Sequence, residues 1–488
     1  MPLALWPERE RRISALRDAE AALAAGSGDA AALAFRRACL LDLLGRTPEA
    51  TAAYLEFLAS WPDHAGALNN LGGLLHRGGH GRAALRCYAE AVERHPGDPV
   101  GHINLANLLH ESGDTESARG HYEAALPHPA AHQGLGRVLA ELGRHDDAAR
   151  HRALGHGDGV GQASAYRGEA PPIDVLLLVS GNGGNVPTGP LLPDDTFRTV
   201  PVWADIVRPG TALPPHDVVF NAIGDPERDP AALEIAEEML RRGTAGVVNR
   251  PAAVRRTGRA ENAARLGGLE GVVTPRAADL PRAALAGPDV AALLGARGLA
   301  HPLLIRSPGF HTGQHLLRVG SPAELPAALA RLPQAGPGEA GLVTVLAFLD
   351  ARSPDGWWRK YRVMLIDGNL LPLHLAVSAD WKVHHVGSGM ADRPQHRAEE
   401  QAFLTDAQAV LGPRAWAALG RVRDALGLDY AGIDFALLPD GGILCFEANA
   451  TMVAQPPDPD PRWDYRRAAV AEIHAAVRRM LLRRAGRG

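Results

Sequence analysis

Asp434, Glu447 and Asn449, close to the C-terminus, have the types and spacing to hold a hard divalent cation. They sit in "GIDFALLPDGGILCFEANA", 432–450, which reads as two short strands, from about Ile433 to Leu438 and from Ile443 to Ala448, joined by "PDGG". Whether the turn is Asp440-Gly441 or all four residues, an antiparallel pairing sets Asp434 opposite Glu447. Side chains two apart share a face, so Asn449 joins Glu447, and the apolar Ala436 and Cys445 are expected there too. Opposed like charges destabilise a sheet unless a cation lies between them. Two carboxylates and an amide oxygen suit Mg2+, with waters and nucleotide phosphates completing its shell. A solvated hairpin face, or one carboxyl with a raised pKa, satisfies the same spacing.

Other residues have the chemistry to meet phosphate. "HPLLIRSPGFHTGQHLLRV", 301–319, reads as strand, Gly-rich loop and returning strand. Gly309, Thr312 and Gly313 would let backbone N–H groups close over a triphosphate, and Arg306 supplies charge at the root of the loop. Arg362 lies on the first strand of a hairpin, 357–377, that turns at Asp367-Gly368. A cation on an otherwise apolar strand needs an anion or water, which a phosphate would supply. Lys382, with His384 and His385, lies in a loop where it could contact an acidic or acyl-phosphate group. Plain alternatives stand beside each reading: Gly hairpins are common, and an edge arginine can simply face solvent.

These residues need elements to position them, and the pattern beyond residue 172 supplies them. "IDVLLLVSG", "HDVVFNAIG" and "AGVVNRP" read as buried strands and "PAALEIAEEMLRRG" as an amphipathic helix, which together predict an α/β layer. In "GNGGNVPTG", Gly181 and Gly183 are followed by Val186 where a dinucleotide fingerprint needs its third glycine. That loop is expected to line a substrate cleft or to be a plain turn. The Gly-rich stretch 153–171 lacks periodicity and reads as a flexible link.

Before the link, one unit recurs. Tyr54, Tyr88 and Tyr122 are spaced evenly, in phase with Gly45, Gly79 and Gly113 and with Ala50, Ala84 and Ala118. Each unit reads as helix, Gly turn, helix, with Pro62 and Pro96 stopping second helices. A shortened fourth unit follows with Gly143 and Ala148, and residues 8–25 read as a capping helix. The spacing resembles the tetratricopeptide repeat (TPR). That resemblance implies a concave surface for a peptide or partner protein, with a dimerisation or spacer module as the alternative. Histidines 64, 76, 80, 95, 102, 110 and 121 do not converge on one helical face, which argues against a metal among them.

The composition narrows the classes. With 51 basic and 55 acidic residues the charges nearly cancel, so no general attraction to nucleic acid or anionic membrane is expected. Apolar runs stop far short of the roughly 20 residues of a membrane span, and a cytoplasmic protein is expected. Cys39, Cys87 and Cys445 form no C-x-x-C pair and read as core thiols.

Taken together, the D-x12-E-x-N hairpin, the Gly-rich loop and the strand arginine resemble the ATP-grasp superfamily, on the branch of glutathione synthetase and D-alanine:D-alanine ligase, over about 172–480. The resemblance implies a multidomain chain: repeats over 1–152, the link over 153–171, an α/β pre-ATP-grasp layer over 172–250 and an α+β ATP-grasp domain over 251–488. It makes Asp434, Glu447 and Asn449 the Mg2+ ligands, and "GFHTGQ" a mobile lid. Arg306 and Arg259 take the places of nucleotide-contacting lysines, Arg362 steadies the transferred phosphate, and Asp350 is the acid remaining at the adenine hinge. The activity implied is an ATP-dependent carboxylate-amine ligase acting through an acyl phosphate on a small-molecule amine or carboxylate, with a peptide or protein recruited by the repeats. An ATP-dependent kinase on the same fold, and a non-catalytic TPR scaffold, are the competing readings; the arginines standing at both lysine positions favour the scaffold.

Overall fold

The computed structural model describes residues 6–487 apart from 209, 242, 308–314, 334–340, 384–387 and 459. The chain forms two compact units, one of Met1–Leu176 with Leu192–His216 and one of Leu177–Leu191 with Asp217–Gly488. The stretch 172–250, expected as a single layer, is therefore divided between them.

In the first unit, α1 (Trp6–Ala24) precedes four helix pairs: α2 (Ala30–Leu43) with α3 (Thr47–Ser60), α4 (Ala65–Arg77) with α5 (Gly81–Arg94), α6 (Pro99–Glu111) with α7 (Thr115–Ala124), and α8 (Pro129–Glu141) with α9 (His145–His156). Asp29, Asp98 and Asp114 cap helix N-termini with their carboxylates. Each pair turns through a glycine at positive φ, Gly45, Gly79, Gly113 and Gly143, a conformation that costs other residues free energy. Ala50, Ala84, Ala118 and Ala148 are fully buried, and so are Tyr54 and Tyr122. A Cβ on Gly134 would stand 2.2 Å from the Tyr122 ring, so the phenol packs directly against the backbone of α8.

The expected flexible link is pinned. Gly161 N donates to Pro201 O, Ser164 N to Thr199 O and Arg167 N to Asp194 O, each at 2.8 Å, while Arg12 donates to the carbonyls of Leu43 and Tyr166. Its glycines serve close approach rather than freedom: a Cβ on Gly159 would meet Val207 N at 2.6 Å, and one on Gly161 would meet Pro201 at 2.6 Å.

Strand β1 (Ile173–Val179) crosses the division between the units and β2 (Phe197–Trp203) lies in the first. In the second unit β3 (Val218–Asn221) leads through α10 (Pro230–Leu240) to its parallel neighbour β4 (Gly246–Val248). Helices α11 (Pro251–Arg255) and α12 (Arg259–Leu266) follow, and then β5 (Val272–Val273). A four-stranded sheet comes next, built from β6 (Ala277–Pro281), β7 (Leu303–Arg306), β8 (Leu317–Val319) and β9 (Leu342–Ala347) in the antiparallel order β6-β9-β7-β8. Helices α13 (Arg282–Leu285), α14 (Val290–Gly295) and α15 (Leu325–Arg331) contribute Leu285, Leu294 and Leu329 to one core with Ile305 and Val345 of its strands.

A five-stranded sheet completes the unit. It contains β10 (Trp358–Ile366), β11 (Asn369–Ser378), β12 (Tyr430–Leu437) and β13 (Ile443–Asn449) in the order β11-β10-β12-β13-β5, with only the β13–β5 contact parallel. The β10–β11 hairpin turns at Asp367 and Gly368, both at positive φ. Helices α16 (Pro394–Thr405), α17 (Ala407–Leu426) and α18 (Arg467–Arg484) bury Phe403, Leu419 and Ile473. Asn249, just after β4, accepts from the N–H groups of Asp429 and Tyr430 and donates to Tyr430 O, which anchors the start of β12. No helix among the described residues is long and apolar enough to cross a membrane.

Candidate functional site

Strand alternation gathers the charged residues into a row across the five-stranded sheet. On β10, Lys360 and Arg362 are two apart and share a face. Register then sets Arg362 opposite His374 of β11 on one side and opposite Asp434 of β12 on the other, and Asp434 opposite Glu447 of β13. The register shifts between Asp434 and Phe435, because β13 carries one extra residue, Phe446. Cys445 therefore pairs with Phe435 instead of sharing the Asp434 face, correcting the expectation for an unbroken ladder.

Asp434 is buried, and two cations hold it. Arg362 grips it bidentately, with Nε 2.5 Å from Oδ1 and Nη2 2.7 Å from Oδ2, and Lys360 Nζ lies 3.1 Å from Oδ2. Burial alone would raise the Asp434 pKa; the Arg362 and Lys360 charges outweigh it and hold the carboxyl far below the usual carboxylate range. Glu447 accepts from Asn449 Nδ2 at 2.8 Å and has Arg259 Nη2 at 3.6 Å. Asn449, expected as an oxygen ligand, has its Oδ1 accepting from Thr451 N and Oγ1 and presents N–H to Glu447. Among the described residues, no three His, Cys, Asp or Glu side chains converge as a metal-binding group. What fits a hard cation is thus the opposed pair Asp434 and Glu447, on condition that Arg362 and Lys360 turn to another anion.

Arg259 begins α12, and Asn262 on the same helix donates to Ala448 O of β13 at 2.5 Å, fixing the helix beside Glu447. The Arg259 backbone N–H and Nη1 both donate to Glu227, each at 2.6 Å. Arg306 ends β7, only 9% exposed, yet its Nε and Nη2 have no hydrogen-bond partner among the described residues. Burial, with Arg259 adding a like charge, pushes its pKa down to about 10 against the pull of Glu447, Glu227 and Asp225. It stays cationic at neutral pH. A buried charge with two nitrogens unpaired among the described residues is costly, so this guanidinium is poised for an anion.

Arg259, Arg306, Lys360, Arg362, Asp434 and Glu447 line one cleft of about 950 Å³ in the second unit, bordered by eight Lys and Arg side chains against three acids among the described residues; Asn449 is not in its lining. One part of its wall is apolar, formed by Leu304, Leu346 and Phe348 of the four-stranded sheet side with Leu444 and Phe446 of β13. Gly184 and Asn185, from the loop expected to line a cleft, do so. Lys382 is exposed and borders the cleft, with its backbone N–H donating to Asp380. Asp350 is absent from the cleft lining; its carboxylate accepts from Arg352 and from Trp358 Nε1, closing its own loop. Gly309, Thr312, Gly313, His384 and His385 lie outside the described residues.

Lys360, His374 and Arg228 were missed by sequence reasoning although they line the cleft. For Lys360 the signal was present, since "RKYR" puts it two residues before Arg362 on the same strand face. Arg228, whose Nε donates to Asn182 O, carries no comparable pattern.

Residues 36–99 and 77–131 match the family model of the tetratricopeptide repeat. Among solved structures, a MamA RS-1 double mutant is 20% identical with a TM-score of 0.27, covering 30% of this chain and 84% of its own. A thermophilic TPR protein of Thermus thermophilus is 21% identical with a TM-score of 0.26, covering 30% of this chain and 82% of its own. No curated protein matches the sequence. The N-terminal region of this chain carries tetratricopeptide repeats, and a mixed α/β region with several sheets follows it.

Proposed function

We propose that the second unit is an ATP-dependent carboxylate-amine ligase of the ATP-grasp kind and that the repeats recruit a peptide or protein carrying one reactant. The observation that carries this reading is Arg306, a buried guanidinium with two nitrogens unpartnered among the described residues, facing a cleft where Arg259, Arg362 and Lys360 surround two opposed acids. The apolar wall of Leu304, Leu346 and Phe348 suits a flat base, and the cationic wall suits a triphosphate.

Asp434 neutralises Arg362 and Lys360. A bound triphosphate offers those cations another anion and frees the carboxylate. Asp434 and Glu447 would then hold Mg2+, which supplies charge neutralisation and orients the phosphates. A carboxylate oxygen of the substrate attacks the γ-phosphorus as the bond to the departing ADP oxygen breaks, giving an acyl phosphate. The amine nitrogen then attacks the acyl carbon, the C–O bond to phosphate breaks, and the amine proton leaves to solvent. Arg306 and Arg362 stabilise the charge developing on the transferred group, and Lys382 at the rim is placed to meet the acyl phosphate. Positioning supplies much of the remaining rate, so no side-chain nucleophile is required.

Mass spectrometry of products from ATP, Mg2+ and a pool of peptides and amino acids tests the reading. We expect an amide-linked product, with free phosphate released only when carboxylate and amine are both present. Phosphate retained on a product would identify a kinase, and no consumption of ATP under any pairing would leave the scaffold.

A further inference from the structure

Histidines that converge on no single helix face do converge between helices. His102 on α6 and His121 on α7 bring their Nδ1 atoms to 3.0 Å, and His132 on α8 and His151 on α9 repeat the arrangement one unit later at 2.8 Å. The two pairs match closely: ring centroids are 5.2 and 5.0 Å apart, with interplanar angles of 41° and 37°. We propose that each pair is a bidentate imidazole site for a late first-row transition-metal ion such as Zn2+ or Cu2+, bound through the two Nδ1 atoms.

Two metal–nitrogen bonds of about 2.0–2.1 Å meeting at roughly 90–110° separate their nitrogens by about 2.9–3.4 Å. Reaching that bite takes shifts of a few tenths of an ångström and a turn of each ring, because the centroid distances show the two Nδ1 atoms now aimed almost straight at one another. His102 already holds the ligating tautomer. Its Nε2 lies 3.1 Å from Pro96 O, so Nε2–H donates to the carbonyl and Nδ1 is left with its lone pair. A backbone carbonyl on the distal N–H is how proteins orient and strengthen a ligating histidine. One Nδ1–H of each pair donates to the facing Nδ1; the ion takes that proton's place, and the proton moves through solvent to Nε2 of the same ring, which stays neutral. His121, His132 and His151 are only partly buried, which leaves access for the ion and for the waters that complete its shell.

Calorimetric titration of tag-free, full-length protein with Zn2+ in excess Mg2+, together with Cu2+ electron paramagnetic resonance, tests the assignment. We expect two saturable equivalents, nitrogen hyperfine structure from paired imidazoles, and loss of one equivalent in each of His121→Ala and His151→Ala. Helical circular dichroism of both variants should match the native chain, since neither ring is deeply buried. Unchanged stoichiometry in the double variant, or no saturable binding by the native protein, would overturn the proposal and leave simple N–H···N hydrogen bonds.

Discussion

Arg306→Met is expected to lower ATP turnover by about 10²- to 10³-fold, the loss typical when one preorganised charge donor is removed from a transition state. The same substitution should leave the fold as stable as before or stabilise it. Arg306 pays a desolvation cost with two of its nitrogens unpartnered among the described residues, and an unbranched apolar side chain carries no such cost. The two readouts together separate function from structure: a residue serving only the fold would lose stability when changed. Arg306→Lys, which keeps the charge but not the planar fork, should recover part of the activity. Phosphate release and thermal unfolding check these outcomes, and a drop in melting temperature with unchanged turnover would contradict them.

Asp434→Ala is expected to destabilise the second unit by about 3–5 kcal/mol, because it leaves Arg362 and Lys360 as uncompensated charges in a largely buried site. The Asp434→Ala/Arg362→Met double variant should recover part of that loss, a coupling that a double-mutant cycle reads directly. Turnover should vanish in both variants. The sign of the pH dependence follows from the lowered pKa. A carboxyl held low in the folded state contributes stability that is fully present above its unfolded value of about 3.9 and fades as pH falls below it. In urea unfolding, the stability lost on substitution should therefore be roughly the same at any pH between about 5 and 8, and should shrink as the pH is taken below about 4.

Legibility in the sequence followed the range of the physics involved. The repeat was readable because it rests on local constraints: a glycine at each left-handed turn and an alanine at each close helix contact recur in phase. The facing of Asp434 and Glu447 was readable too, since a hairpin's register is set within a few residues of its turn. The bulge at Phe446 was not, because an extra residue in one strand leaves no periodic mark, and it moved Cys445 off the shared face.

Side-chain partners were the least legible. Nothing local indicates that Arg362 reaches across from β10 to grip Asp434, because strands β10 and β12 are far apart in sequence and meet only through the sheet order. Nor does the sequence indicate that Thr451, two residues on, donates to the Asn449 amide oxygen. The pinning of 153–171 is hidden in the sequence for a related reason. Glycine is required both by flexible chains and by backbones pressed against a neighbour, and only the positions of Val207 and Pro201 show that Gly159 and Gly161 are of the second kind.

Calorimetric titration of the full chain with MgATP tests the central claim most directly. Saturable binding at one site, weakened by Arg306→Met and abolished by Asp434→Ala while the repeats keep their helical signal, is the predicted result. Absence of heat in the native protein, or binding indifferent to both substitutions, would contradict an anion-and-metal cleft built around Arg306 and Asp434.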